Sequence, residues 1–367
     1  MKLLKSVILT FMVIISLTTI CQNENKEFGK EFFVKGQEIF TDDYNVEYIN
    51  VIDTFLLAKL RSGDYIFSLY NIKTGKKITE IAFRGNGPNE FPISLSFTGQ
   101  YEKENGSIYF WARALSTNKL YKINITESIK QNRTIINDEY KYSPICFFDN
   151  VFFIDSANLI GRTSNLSPHI NRLLIYNPTN DKIVKTVEPF PKVKNTYSDN
   201  LNFIFYRYNS LYNSSLGLKP DRSKIVSAMN MFNRIDIFDI SGNLLNSYID
   251  KNTLSDDLIK EYLSAKQNNV DKVNIKLYYQ GIYASNSFIC VVYQNRLYYD
   301  YNQSIPVYIR IFNWNADPIC EIKVPDYLQY ISIDEKNGMM YGSAVIDEKI
   351  FKYDISSILD EIKTGSK

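Results

Sequence analysis

Arg234-Ile235-Asp236-Ile237-Phe238-Asp239-Ile240-Ser241-Gly242-Asn243-Leu244-Leu245-Asn246-Ser247-Tyr248-Ile249 decides the fold. Apolar residues alternate on either side of Ser241-Gly242-Asn243, where a glycine can supply the positive φ of a tight turn, so the stretch reads as a β-hairpin. Worn copies of its first strand recur. They are Phe67-Ser68-Leu69-Tyr70-Asn71-Ile72, Lys119-Leu120-Tyr121-Lys122-Ile123, Leu173-Leu174-Ile175-Tyr176-Asn177-Pro178, Ile309-Arg310-Ile311-Phe312-Asn313-Trp314 and Ile350-Phe351-Lys352-Tyr353-Asp354-Ile355. Taking Tyr70, Tyr121, Tyr176, Phe238, Phe312 and Tyr353 as equivalent, the copies follow one another at 51, 55, 62, 74 and 41 residues. Such intervals suit a four-stranded propeller blade with loops of unequal length. The expected fold is therefore all-β: a six-bladed β-propeller of four-stranded antiparallel blades, with a short helical insertion between the fourth and fifth blade hairpins.

Composition agrees with that reading. A chain of 367 residues exceeds what one compact core usually serves, and repeating units distribute the burial. Its 28 Tyr and 23 Phe suit the space between stacked sheets. A net charge of +2 gives no general attraction to nucleic acid or an anionic membrane surface.

The N-terminus reads as an export signal. Lys2 and Lys5 precede an apolar run over residues 7–20, which is shorter than the ~20 residues a membrane-spanning helix needs. Cys21 follows at once and resembles the lipid-modified cysteine of bacterial lipoproteins. Ile20 stands where those sequences carry a small residue, so the alternative is ordinary signal cleavage, or an uncleaved anchor, with Cys21 incidental. The expected organisation is a signal over 1–21, a polar tether over 22–30 and the propeller over 31–367. Residues 31–40 are expected to lend one strand to the last blade, closing the ring and removing a free sheet edge. Cys290 and Cys320 sit inside apolar strand patterns and read as small buried hydrophobes; with Cys146 the count is odd, and no disulfide framework is supported.

Along the chain, residues 48–60 and 64–83 supply the first blade, and residues 107–114 and 119–125 supply strands of the second. Residues 125–138 read as a loop or a worn outer strand. The third blade draws on 151–155, 157–162 and 172–187, and the fourth on 203–208, 224–228 and the hairpin at Gly242. Thr253 and Asp256 resemble a capping box ahead of Leu254, Leu258, Ile259, Tyr262 and Leu263, which recur at helical spacing, so residues 254–266 read as a helix packed over a face or rim. The fifth blade takes 278–284, 287–293, 305–314 and 319–324. The sixth takes 330–334, 339–345 and 349–354, with 355–362 either a fourth strand or a terminal helix.

The most distinctive local motif is Phe83-Arg84-Gly85-Asn86-Gly87-Pro88-Asn89-Glu90-Phe91, where two glycines and a proline exclude regular structure. Through Gly85, Gly87, Pro88, Glu90 and Phe91, together with the N-terminal signal, the chain resembles the TolB-like six-bladed β-propeller proteins common among secreted and lipid-anchored proteins of Bacteroidetes. That resemblance implies a fold and a cell-envelope setting, and no particular reaction. Two roles are open to the motif. Glu90 can cap backbone amides or pair with Arg84 while Phe91 plugs the groove between blades, or Arg84 and Glu90 can face a ligand.

Familiar catalytic layouts are missing from the sequence. Its single histidine, His169, reads as an exposed loop residue and cannot build a multi-histidine metal site. There is no Cys-x-x-Cys pair, no Gly-x-Ser-x-Gly elbow and no phosphate-binding Gly-x-x-x-x-Gly-Lys loop. Carboxylates far apart in sequence can still converge on a propeller's channel, with Asp155 and Asp334 as candidates and a calcium-dependent lactonase as the precedent for such chemistry. The leading expectation is a non-enzymatic extracytoplasmic binding protein without a cofactor, presenting one face to a glycan, peptide or partner protein. The rivals are a calcium-type hydrolase at the channel and a structural part of an envelope assembly.

Overall fold

The computed structural model describes residues 27–40, 45–87, 89–164, 171–188, 190, 206–207, 209–265, 273–298, 300 and 306–365. Cys21, Pro88 and His169 lie outside them. Six sheets form the molecule. Blade one is β3 (Val46–Ile52), β4 (Phe55–Leu60), β5 (Tyr65–Asn71) and β6 (Lys77–Phe83); blade two is β7 (Leu95–Glu104), β8 (Ser107–Ala114), β9 (Lys119–Asn124) and β10 (Ile136–Lys141). Blade three is β11 (Phe148–Phe153), β12 (Leu159–Thr163), β13 (Leu173–Asn177) and β14 (Lys182–Val187); blade four is β15 (Ser214–Leu218), β16 (Lys224–Met229), β17 (Arg234–Asp239) and β18 (Leu244–Ile249). Blade five is β19 (Lys276–Ala284), β20 (Phe288–Leu297), β21 (Val307–Asn313) and β22 (Pro318–Val324), and β23 (Tyr330–Asp334), β24 (Met339–Ala344) and β25 (Lys349–Asp354) begin blade six.

All six equivalent aromatics fall in third strands: Tyr70 in β5, Tyr121 in β9, Tyr176 in β13, Phe238 in β17, Phe312 in β21 and Tyr353 in β25. Each is buried. A third strand is covered on both faces by neighbouring blades, which is why its pattern survives when outer strands drift. The Gly242 turn closes as read, with φ of +72° and Asn243 N donating to the Asp239 carboxylate.

The N-terminal segment closes the ring at two places. β2 (Gln37–Ile39) pairs antiparallel with β25 as the fourth strand of blade six, while β1 (Glu31–Phe33) runs parallel to β22 as an extra edge strand on blade five. Phe28 wedges against Phe312 and Tyr248, with ring centroids 5.2 and 6.0 Å away. Because β2 fills the fourth position, residues 356–365 are released to form the terminal helix α3 (Ser356–Gly365).

Three local readings need correction. Residues 125–138 hold helix α1 (Ile125–Gln131) before outer strand β10, because Asn124 caps the Glu127 amide and Asn132 ends the turn in the left-handed region. Helix α2 (Asp256–Ser264) is capped by Ser255 rather than by Thr253, whose hydroxyl accepts from Asn233 N instead. The innermost strand of blade four is β15, well after residues 203–208; of that earlier stretch the described residues Tyr206 and Arg207 are helical.

Burial follows the grooves between blades. One cluster joins blades one and two through Phe67, Phe91 and Phe110, and another joins blades five and six through Phe288, Ile309 and Met340. Helix α2 buries Ile259, Tyr262 and Leu263 in a satellite core with Leu211, Met231 and Phe232, bracing the starting end of blade four. All three described cysteines are buried and unpaired, and burial raises each thiol pKa, to about 12 for Cys146 and Cys320. We expect a thiol reagent to leave them untouched in the native protein and to titrate all three only on unfolding.

Candidate functional site

Each blade places its first strand beside the axis. From β7 round to β3 the first strands touch in succession around the channel, and all run in the same sense, so their starts share one end and their finishes the other. The finishing end opens into a cavity of about 490 Å³ lined from all six blades, by Val51, Gln100, Phe152, Leu216, Ile282 and Ser332 among others.

Blade two distorts this end. β7 is the longest first strand, and its pairing with β8 slips between Phe97 and Tyr101, with Gly99 at φ +90°. Such a bulge kinks a strand and re-aims its side chains. Here it turns the Gln100 amide onto the backbone of Phe153 in blade three, donating to the carbonyl and accepting from the amide, each at 2.9 Å. It also delivers Tyr101, Glu102, Lys103 and Glu104 to the mouth.

Glu102 is the electrostatic centre. Its side chain is 9% exposed and accepts from Lys122 Nζ at 2.8 Å and Trp111 Nε1 at 3.0 Å. Arg222, in the turn after β15, reaches it from blade four and so ties two non-adjacent blades across the mouth. Burial would raise the Glu102 pKa, but the hydrogen bonds from Lys122 and Trp111 and the charge of Arg222 outweigh it and hold the carboxyl below its usual range. Opposite, Tyr283 donates to Glu335 at 2.8 Å. Burial and the Glu335 charge push the Tyr283 phenol well up, and burial likewise raises Tyr101, so both hydroxyls stay protonated donors at neutral pH.

The residues singled out from sequence lie elsewhere. The Arg84–Phe91 connection joins β6 to β7 at the starting end. Arg84 donates from Nε to the Tyr65 carbonyl at 3.0 Å and from Nη2 to the Leu60 carbonyl at 2.5 Å. Glu90 accepts from Gly87 N at 2.7 Å, and the two side chains do not pair. Phe91 is 1% exposed and packs edge-on to Tyr121 at 5.1 Å. A Cβ on Gly85 would fall on the Glu90 carboxylate. Gly85→Ala is therefore expected to cost about 1–3 kcal/mol, read as a lowered unfolding midpoint.

Asp155 accepts from Ala157 N and Asn158 N, and Asp334 from Asn337 N, so both carboxylates are held within their own turns. Among the described residues no three His, Cys, Asp or Glu side chains come together to hold a metal ion. With Glu102 engaged by Lys122, Trp111 and Arg222, that carboxylate is not free to ligate calcium. Nothing local announced Tyr101, Glu102, Arg222, Tyr283 or Glu335; the one available signal was the glycine interrupting β7.

The fold and mouth define a class: a six-bladed β-propeller with a polar, mixed-charge opening at one end of its channel. No family model and no curated protein matches the chain. Among solved structures, it is similar to a member of the DUF4221 family from Bacteroides vulgatus (12% identity, 88% of this chain and 95% of that one, TM-score 0.54). It is also similar to a candidate exported protein from Bacteroides fragilis (13% identity, 88% and 98% coverage, TM-score 0.52). At these identities the likeness is one of fold.

Proposed function

We propose that this chain is an extracytoplasmic binding protein of the TolB-like propeller kind, taking a glycan or peptide segment at the finishing end of its channel. The observation that carries this reading is the cavity of about 490 Å³ to which all six blades contribute. Its chemistry suits a polar guest with apolar faces. Tyr101, 47% exposed, offers a ring at the rim, Lys103 donates, and Glu335 and the Tyr283 oxygen accept. The export-type N-terminus with Cys21 supports placement in the cell envelope, held there by a lipid if that thiol is modified. The name of the Bacteroides fragilis neighbour is in keeping with that setting.

Glycan and peptide arrays probed with the purified chain test the proposal. Saturable binding is expected in one ligand class, weakened about tenfold or more by Tyr101→Ala and by Glu335→Gln. No saturable ligand on either array, or binding indifferent to both substitutions, would overturn it.

A further inference from the structure

The starting end of the channel holds a second, smaller cavity of about 240 Å³, lined in part by Arg162, Asn213, Ser214, Gln280, Gln329 and Tyr330. Buried polar atoms normally find partners, and those that do not mark a place where water, an ion or a ligand belongs. Three lining residues carry such atoms. Arg162 Nε, Ser214 Oγ and Asn213 Oδ1 are buried without a hydrogen-bond partner, and so is Oδ1 of Asn150, which sits opposite Arg162 in the β11–β12 register. Arg162 is 6% exposed and Ser214 4% exposed.

The charged groups nearest Arg162 are two cations to one anion, while Tyr330 feels the charges of Glu47 and Asp149. Asp149 is shared by two cations, Arg162 and Arg113, the latter 3.7 Å away and also donating to the Phe148 carbonyl. Lys59 and Glu47, on blade one, pair with each other at 3.2 Å. Donors also outnumber acceptors. The Oε1 atoms of Gln280 and Gln329 are taken by Gln294 Nε2 and Ile346 N, which leaves the N–H ends of both amides uncommitted. A guanidinium N–H, a hydroxyl and two amide N–H groups suit a carboxylate. The exceptions, Asn213 Oδ1 and Asn150 Oδ1, accept, and want a donor close to that anion.

The geometry points to a binding site here for a carboxylate carrying an N–H on the neighbouring carbon, the pattern of an N-acylated amino acid or of a peptide's C-terminal residue. Arg162 and Ser214 take the carboxylate, and Asn213 takes the N–H. The site is separate from the mouth assigned above and stands whether or not that assignment does.

Calorimetric titration of the full chain with N-acetylglycine, acetyl-triglycine and N-acetylglycinamide tests it. The two acids are expected to bind, with the amide at least about tenfold weaker because it brings no anionic oxygen to the Arg162 Nε–H. Tighter binding of the acetyl-triglycine assigns a chain end, and equal binding assigns a small free acid. Ser214→Ala removes no hydrogen bond from the folded chain and so keeps its stability, yet should weaken both acids several-fold. Arg162→Lys should do so more strongly. Equal binding of acid and amide, no heat from either acid up to about 10 mM, or affinities unchanged in both variants would each overturn the inference and leave the cavity to ordered water.

Discussion

Replacing Asp236 with alanine is expected to cost about 3–5 kcal/mol of folding stability, enough to lower the melting temperature by about ten degrees or to abolish folding at growth temperature. Asp236 and Arg172 are both fully buried, and their ion pair spans 2.9 Å from the middle of β17 to the residue just before β13. The same carboxylate accepts from Arg234 Nε at 2.8 Å and Ser247 Oγ at 2.6 Å, while Arg172 donates to Ser227 Oγ and to the Phe190 carbonyl. Phe190 covers both guanidinium groups, each 4.7 Å from its ring. Removing the carboxylate strands Arg172 in a dry groove with nothing to balance its charge. Joint replacement by Arg172→Met and Asp236→Leu should recover most of the loss, since a buried pair often does little better than apolar groups of like size. Urea unfolding of the single and double variants measures both. A single variant within about 1 kcal/mol of the parent would mean that water reaches the groove.

The second large effect should come from removing residues 27–40. Their loss uncovers the outer edges of blades five and six, where β22 and β25 would each present unpaired backbone groups. It also takes Phe28 from beneath the Arg310 guanidinium, 4.8 Å from its ring, and from between Phe312 and Tyr248. We expect a broad unfolding transition shifted down by about 10 °C or more, and aggregation that a synthetic peptide of residues 27–40 suppresses when added in trans. Unchanged melting without the segment would show that the ring closes through its inter-blade grooves alone.

What could be read in advance was whatever a single strand reports about itself. The third strands announced the blade count because burial on both faces keeps a run such as Leu173–Asn177 apolar. Helix α1 was missed although Asn124 and Glu127 stand three apart at its start. The polar residues after it masked that signal. The mouth was hidden for a different reason. Glu102 and Arg222 stand 120 positions apart and meet only once blades two, three and four are stacked, and Tyr283 and Glu335 belong to different blades. The Arg84–Phe91 motif was conspicuous in sequence because a tight connection dictates residue types locally, whereas a convergent surface does not.

The slip in β7 has one more consequence. Six equal blades would offer a guest six interchangeable poses, and a small molecule could settle in any of them. With Gln100 stitched to Phe153 and Arg222 bolted to Glu102, the rotational degeneracy of the ring is lifted at its opening. Whatever docks there meets a lock with a single keyway, so its stereochemistry can be told apart by a scaffold that is otherwise nearly symmetric.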